Sequence, residues 1–172
     1  MDMIESSGLT RTAMASFGGS FDALIGTVCA PLLDRSLYED FASLCTGNDL
    51  RLRFGTPIRP DAAAERLRKI TLASSRSLAA FGEGGMLWAL AQLVTIAPGI
   101  GEIGIIVRSD RKRHGIGRAL LSGLAGEARA AQMRQLHGTV LAENAAMRGL
   151  AQKLGFSAFA AGGCEVELRL AL

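Results

Sequence analysis

One short segment of this sequence combines clustered basic residues, two glycines and the start of an apolar helical pattern. From Val107 to Leu121 it reads VRSDRKRHGIGRALL, and apolar residues at the spacing of Ile116, Leu120 and Leu124 predict a helix after Gly115. The first N–H groups of a helix lack intrahelical partners, and the helix dipole makes that end positive. Because glycines let the backbone approach an anion closely, the segment predicts a phosphate-binding loop.

The spacing of this loop excludes two common phosphate-binding motifs. A Walker loop needs Lys and Ser or Thr after its last glycine, whereas Arg118 and Ala119 follow Gly117. A dinucleotide fingerprint needs a third glycine where Leu120 stands. Five basic residues against one acid lie between 108 and 118 in a chain of net charge +3, which suits a polyanionic small ligand or a nucleic-acid backbone. A solvated basic loop would have the same composition.

The remaining chain predicts a mixed sheet that would position this loop. Strands are predicted at 23–30, 76–81, 86–96, 102–108, 135–141, 156–160 and 165–170, with helices over 35–44, from 60 to about 70, from 116 to about 128 and over 144–154. Asp34 is predicted to cap the first helix and Gly155 to stop the last. Residues 47–49 are predicted to end the first helix, and the sequence predicts no definite secondary structure for residues 51–54. The glycines within residues 82–85 predict a hairpin turn between two strands.

Composition indicates a globular protein. Apolar residues make up 49% of the sequence and charged residues 20%. A chain of 172 residues with this composition is long enough to bury a core. Residues 1–20 are predicted as an irregular lead-in and 21–172 as a single domain. Cys29, Cys45 and Cys164 are far apart, so we expect neither a disulfide framework nor a metal site. No signal peptide or apolar run of about 20 residues is evident, and we expect a cytoplasmic location without membrane contact.

Two motifs together resemble the GNAT superfamily of N-acyltransferases. Lys112, Gly115 and Gly117 are similar to its pyrophosphate loop, which has Gln or Arg, two residues, Gly, one residue, then Gly or Ala; Lys112 takes the first place. Asn144 with Met147, followed by KLGF, is similar to its Asn-led helix that closes on Gly-Phe. Within the superfamily, EIGIIVRSD at 102–110, HGTVLAENAAM at 137–147, LAQKLGF at 150–156 and LRLRFGTPI at 50–58 resemble the acetyltransferase domain of the bacterial protein-lysine acetyltransferases called Pat.

This resemblance implies an α/β GNAT fold with a mixed, mostly antiparallel central sheet of about six or seven strands and about four helices on its two faces. It implies acetyl-CoA as co-substrate and no metal. The pantetheine would lie along the strand at 102–108 and the pyrophosphate in the loop. The cofactor-binding residues would be Ile105, Ile106, Val107, Lys112, Arg113, His114, Gly115, Ile116, Gly117, Arg118, Asn144 and Met147. Asn144 would contact the cofactor or only cap its helix.

The resemblance also implies transfer of an acetyl group to a primary amine by direct attack. Only an amine that has lost its proton attacks, and Glu102 corresponds to the base of the Pat-like group. Partial burial beside apolar residues would make this carboxylate a stronger base, whereas an exposed strand-end carboxylate is the alternative. Where many members have a Tyr as general acid, this sequence has Ala151, so water would protonate the leaving thiolate. Tyr38, the one tyrosine, is predicted to pack in the core.

The acceptor stays open between a protein lysine, such as one on an acyl-CoA synthetase, and a small-molecule amine; a homodimer also stays open. Residues 34–72 and 157–164 would form the acceptor site, where Glu39, Asp40 and Asp49 could attract a cationic substrate. Two other functions remain as alternatives. A module that senses acyl-CoA would need the loop but no base. A nucleic-acid-binding protein would use the patch at 108–118, although neither aromatic platforms nor a recognition helix is evident, and we expect no nucleic-acid partner.

Overall fold

A computed structural model describes residues 15–16, 24–27 and 34–172 of the chain. The strands are β1 Ala15–Ser16, β2 Leu24–Thr27, β3 Arg76–Phe81, β4 Leu87–Ala97, β5 Ile100–Val107, β6 Gln135–Leu141, β7 Ser157–Gly162 and β8 Glu165–Ala171. The helices are α1 Arg35–Leu44, α2 Gly47–Phe54, α3 Pro60–Ala73, α4 Ile116–Ala130 and α5 Ala145–Lys153. Short 3₁₀ turns at Glu83–Gly85 and Ser109–Arg111 follow β3 and β5.

All eight described strands form one sheet in the order β1-β2-β3-β4-β5-β6-β8-β7. Neighbouring strands are antiparallel except β5 and β6, which are parallel. This confirms the mixed, mostly antiparallel sheet. The two layers of helices result from side-chain alternation along the strands: Leu93 and Ile103 pack under α4, and Leu90 and Ile106 pack under α1, α2 and α3. Helices therefore cover both faces.

Most predicted elements are confirmed with small changes of boundary. The hairpin of β3 and β4 is present, and its turn contains Gly84 and Gly85 at φ 68° and 75°. The predicted stripe of α4 is buried throughout. Asp34 caps α1 by accepting a hydrogen bond from the Ser36 N–H, and Gly155 follows α5 at φ 88°. Of the predicted strand at 23–30, residues 24–27 form β2. Its other residues, and the predicted lead-in apart from β1, lie outside the described residues.

The prediction that residues 47–49 end a helix is wrong, because they begin α2. Its start is a capping box: the Thr46 hydroxyl accepts from the Asp49 N–H at 3.1 Å, and the Asp49 carboxylate accepts from the Thr46 N–H at 2.9 Å. Gly55 ends the helix in the left-handed conformation at φ 79°. The fold thus has five described helices rather than about four, and α2 occupies the stretch at 51–54 that gave no clear prediction.

The parallel strands β5 and β6 separate part-way along their length. They pair only from Ile100 with Gln135 to Glu102 with His137, whereas β5 stays paired with β4 as far as Val107. Beyond Glu102, the edge of β5 that faces β6 therefore has backbone N–H and C=O groups without a β6 partner. The sheet opens at this point into a cleft between its two halves.

Gly82, which follows β3, provides a test of core packing. Its backbone is extended, but a Cβ there would overlap the buried ring of Trp88. We expect Gly82→Ala to lower the free energy of unfolding by about 1–3 kcal/mol in urea titrations, because overpacking forces the ring to move. Gly126→Ala is the matched control: a Cβ there meets nothing within 4 Å, and alanine in the middle of α4 should stabilise. Equal stability of the two variants would contradict this packing.

Candidate active site

The cleft between β5 and β6 lies next to the predicted phosphate loop. After β5 ends at Val107, the 3₁₀ turn leads to Gly115, which precedes α4 at φ 79° and offers no side-chain cap. The first N–H groups of α4 therefore lack a protein cap. A Cβ at Gly115 would contact nothing within 4 Å, so the space before the helix is open. This geometry can receive an anionic group at the helix start and an extended chain in the cleft.

The side chains of the predicted loop residues differ in what they can contact. Arg113, His114 and Arg118 are exposed, and Arg113 has a positive φ of 69°. The side chains of Ile116 and Ile106 are buried in the core, so only their backbone groups can reach a ligand. Ile105 and Val107 are partly buried and pack on the α4 side. The loop thus offers backbone donors surrounded by exposed cations.

The half-buried Lys112 forms an ion pair within the protein. Its ammonium forms an ion pair with Asp49, whose carboxylate also accepts from the Ser109 hydroxyl at 2.7 Å and from the Ser109 N–H at 3.2 Å. Burial opposes ionisation of Asp49, but the hydrogen bonds from Lys112, Ser109 and Thr46 hold its pKa below the usual range. We call Thr46, Asp49, Ser109 and Lys112 the Asp49 cluster. The prediction that Asp49 attracts a substrate is wrong, because it is buried and fully engaged.

The two sequence motifs meet in space. The position of a Cβ on Gly117 lies 3.5 Å from Cδ2 of Leu150 in α5, so α5 lies against the start of α4. Asn144 caps α5 by accepting from the Met147 N–H at 3.1 Å, which supports the capping alternative for this residue. Met147 is partly buried against the α4 core, and Ala151, where other members have a Tyr, is fully buried. Tyr38 packs in the core beneath α3, as predicted.

Glu102 stands where β5 and β6 separate. It is exposed, so the predicted partial burial is wrong: pairing with β6 ends at this residue, and the carboxylate faces open space. Its neighbour in register on β6 is His137. Because paired residues of adjacent strands project to the same face, the two side chains lie side by side. Glu102 is thus accessible to a substrate in the cleft.

A row of polar side chains beside Glu102 has no counterpart in the sequence predictions. His137 Nδ1 lies 2.9 Å from Oε1 of Glu167, and Arg169 donates to Glu167 at 2.9 and 2.6 Å. The hydrogen bonds from Arg169 lower the pKa of Glu167, against the effect of desolvation. His137 Nε2 is buried without a partner. The alternation of polar and apolar residues along β6 and β8 is the signal that could have indicated this row.

Comparison with protein-family models identifies the family of this chain. Residues 35–156 match the model described as the acetyltransferase (GNAT) family, which is more than half of the chain. The chain belongs to the GNAT family of acetyltransferases. Among curated proteins, no sequence matches this chain.

Solved structures of GNAT proteins share the fold at low sequence identity. The GNAT domain of PAT from S. lividans has a TM-score of 0.76 and 21% identity, over 87% of this chain and 90% of that one. Phosphinothricin acetyltransferase (Pat) from Sinorhizobium meliloti, in complex with acetyl-CoA, has a TM-score of 0.66 and 18% identity, over 86% of this chain and 88% of that one. YncA, a putative acetyltransferase from Salmonella typhimurium with its cofactor acetyl-CoA, has a TM-score of 0.64 and 18% identity, over 86% of this chain and 94% of that one.

Arg53 of α2 lies against β5, the strand that borders the GNAT cleft. Its guanidinium rests on Gly104 of β5, where a Cβ would overlap it, and donates to Gln92 Oε1 at 2.9 Å. Gln92 in turn donates to the Leu67 carbonyl at 2.8 Å and the Thr71 hydroxyl at 2.7 Å. Burial lowers the pKa of Arg53 to about 10; the nearby charge of Arg66 adds to this lowering, and Glu102 opposes it. Sequence reasoning missed Arg53 because its contact depends on the unpredicted α2.

The described cysteines do not suit a covalent mechanism. Cys45 is buried, and burial, with the charge of Asp49, raises the pKa of its thiol to about 12. Cys164 is exposed in the turn between β7 and β8. In the described ranges, no three His, Cys, Asp or Glu side chains are grouped so that they could hold a metal ion. Nor does any helix there have the length and apolar character needed to cross a membrane.

Proposed function

We propose that this GNAT protein transfers an acetyl group from acetyl-CoA to a primary amine by direct attack of the amine on the thioester. The observation that carries the proposal is the separation of β5 from β6 directly beside the uncapped, glycine-preceded start of α4. An extended pantetheine would pair with the free edge of β5 near Ile105–Val107. The pyrophosphate would accept hydrogen bonds from N–H groups at the start of α4.

Each predicted cofactor residue has a role in this proposal. Gly115, Ile116 and Gly117 provide backbone donors, while Arg113, His114 and Arg118 provide exposed groups for the phosphates. Lys112 acts through the Asp49 cluster, which fixes the loop. Asn144 and Met147 form the wall of the cleft at the start of α5.

Glu102 acts as the base in this proposal. Its carboxylate accepts a proton from the acceptor ammonium, and the freed nitrogen pair bonds to the acetyl carbon. A backbone N–H of β5 donates to the oxygen that becomes negatively charged. The C–S bond then breaks. Because Ala151 has no hydroxyl, water carries the second proton of the nitrogen to the CoA thiolate, and Glu102 releases its own proton to solvent.

The motifs that resemble Pat-type enzymes make a protein lysine, such as one on an acyl-CoA synthetase, a candidate acceptor. Small-molecule amines are the other class. The proposal places the protein in the cytoplasm, as a monomer or a homodimer.

Binding of acetyl-CoA and release of free CoA test the proposal together. We expect acetyl-CoA at about 100 times its dissociation constant to stabilise the protein by about 2.7 kcal/mol in thermal melts. Gly115→Val should remove this stabilisation, because a β-branched residue is strained at φ 79° and obstructs the helix start; Gly126→Val in the same helix is the control. A panel of amines should then release CoA.

Three other outcomes would contradict the proposal. Absence of acetyl-CoA binding would overturn it outright. Binding without CoA release from any amine would favour the sensing module. Salt-sensitive binding of duplex DNA without acetyl-CoA binding would favour the nucleic-acid alternative.

A further inference from the structure

Two arginines that contact the Phe54 ring have no carboxylate partner among the described residues, and the charge of Glu102 reaches one of them, Arg53. The guanidinium carbons of Arg53 and Arg66 lie 5.3 and 4.9 Å from the centre of the Phe54 ring. Other arginines of the same two helices are paired: Arg51 with Glu143, and Arg68 with Glu65. The pair at Phe54 therefore concentrates positive charge that no described acidic residue neutralises by direct contact.

Arg53 is the more constrained of the two. Its guanidinium donates to the neutral Gln92 amide oxygen, and its Nε is buried without a partner. Buried cations in proteins are normally paired with an anion, because desolvation of an unpaired charge is costly. The guanidinium rests on Gly104, and Glu102 lies two residues earlier on the same face of β5. A site that accepts an anion thus adjoins the candidate base.

Acidic groups of β8 lie on the same face of the sheet. Glu167 projects from β8 on the face that carries Glu102 and His137, and Glu165 lies at the end of α2, 3.5 Å from the position of a Cβ on Gly55. Arg169 offsets part of this negative charge. The face of the sheet that carries Glu102 therefore has both guanidinium groups, from α2 and α3, and carboxylates, from β5 and β8, close to it.

We infer that the acceptor is a small amine that carries its own carboxylate, with that carboxylate bound by Arg53 and Arg66 and its ammonium held at Glu102. The inference rests on the proposed function and specifies its acceptor. Arginine binds carboxylates with charge-assisted hydrogen bonds in a fixed fork geometry. A polyamine or a lysine-rich peptide would instead bring further positive charge toward the two guanidiniums, which costs binding free energy. The positive charge also favours the neutral amine that must attack.

Matched pairs of acceptors test this inference on the full chain. Each pair consists of an amino acid and its carboxamide. CoA release gives kcat/KM for both, corrected for the fraction of neutral amine, because the carboxylate also changes the pKa of the amine. We expect the wild-type protein to prefer the carboxylate form by about tenfold or more. Arg66→Gln should lower kcat/KM about tenfold for the carboxylate form and leave the carboxamide within twofold. Arg66 is exposed, so this variant should fold; Arg53→Gln should act in the same direction.

Arg129→Gln is the control, since Arg129 is exposed at the far end of α4, and it should leave both rates unchanged. Equal rates for carboxylate and carboxamide, or faster acetylation of a lysine peptide, would overturn the inference while leaving the proposed function in place. An equal effect of Arg66→Gln on both acceptors would also overturn it. If acetyl-CoA does not bind and no amine releases CoA, the proposed function fails and the inference fails with it.

Discussion

Replacing Glu102 with Gln is expected to lower kcat for acetyl transfer by about 10²–10⁴-fold while acetyl-CoA binds as before. Glutamine keeps the shape of the side chain but cannot take a proton from the acceptor ammonium. Glu102 is exposed at the point where β5 and β6 separate, so the substitution removes no described hydrogen bond or ion pair. Stability and acetyl-CoA-induced stabilisation should therefore stay within about 0.5 kcal/mol of wild type. Single-turnover CoA release measures the chemical step.

The control for this prediction is Glu127→Gln, which removes a carboxylate of α4 that pairs with Arg76 far from the cleft. It should keep full activity. Unchanged activity of Glu102→Gln would remove Glu102 as the base. His137→Gln would then test whether activity depends on the neighbouring imidazole, which Glu167 holds at Nδ1.

The phosphate loop could be predicted from the sequence because its signals are local. The apolar spacing that includes Ile116, Leu120 and Leu124 defines one face of α4, and all three are buried. Gly115 could be placed at the helix start because the apolar spacing begins directly after it. In the structure its φ is 79°, which a residue without a Cβ adopts at little cost. The Asn-led start of α5 and its glycine stop are local signals of the same kind.

Tertiary features of the site could not be predicted in this way. α2 has eight residues, of which only Asp49 and Leu50 are buried, so it shows no helical periodicity. Its capping box has Asp in place of the usual Glu or Gln. The exposure of Glu102 depends on where β6 leaves β5, and the position of Arg53 depends on α2 crossing Gly104. Such facts arise from pairing between distant segments.

The Asp49 cluster leads to the second large expected effect. Asp49→Asn should lower the free energy of unfolding by about 2–4 kcal/mol and raise KM for acetyl-CoA, with a smaller effect on kcat. The carboxylate accepts from Thr46 at the start of α2 and from Ser109 and Lys112 of the phosphate loop. An amide cannot neutralise the Lys112 ammonium, and its NH₂ group would face N–H donors. The loop would then lose its attachment to α2.

The pH dependence of this effect is set by the pKa of Asp49, which folding lowers. Such a group contributes stability above its unfolded pKa, about 3.9, and loses it as pH falls through the folded value. The difference in unfolding free energy between wild type and Asp49→Asn should therefore be full near pH 7 and shrink below about pH 4. Asp40→Asn, at an exposed position of α1, should change stability by less than about 0.5 kcal/mol at either pH.

A double-mutant cycle with Lys112→Met separates the ion pair from the rest of the cluster. The coupling free energy between Asp49 and Lys112 should be about 1 kcal/mol, because the Lys112 side chain is 39% exposed and water screens its charge. If Lys112 instead served the cofactor directly, Lys112→Met would raise KM for acetyl-CoA equally in the wild-type and Asp49→Asn backgrounds. We expect its effect on KM to disappear largely once Asp49 is gone, because Lys112 acts on the loop through that carboxylate.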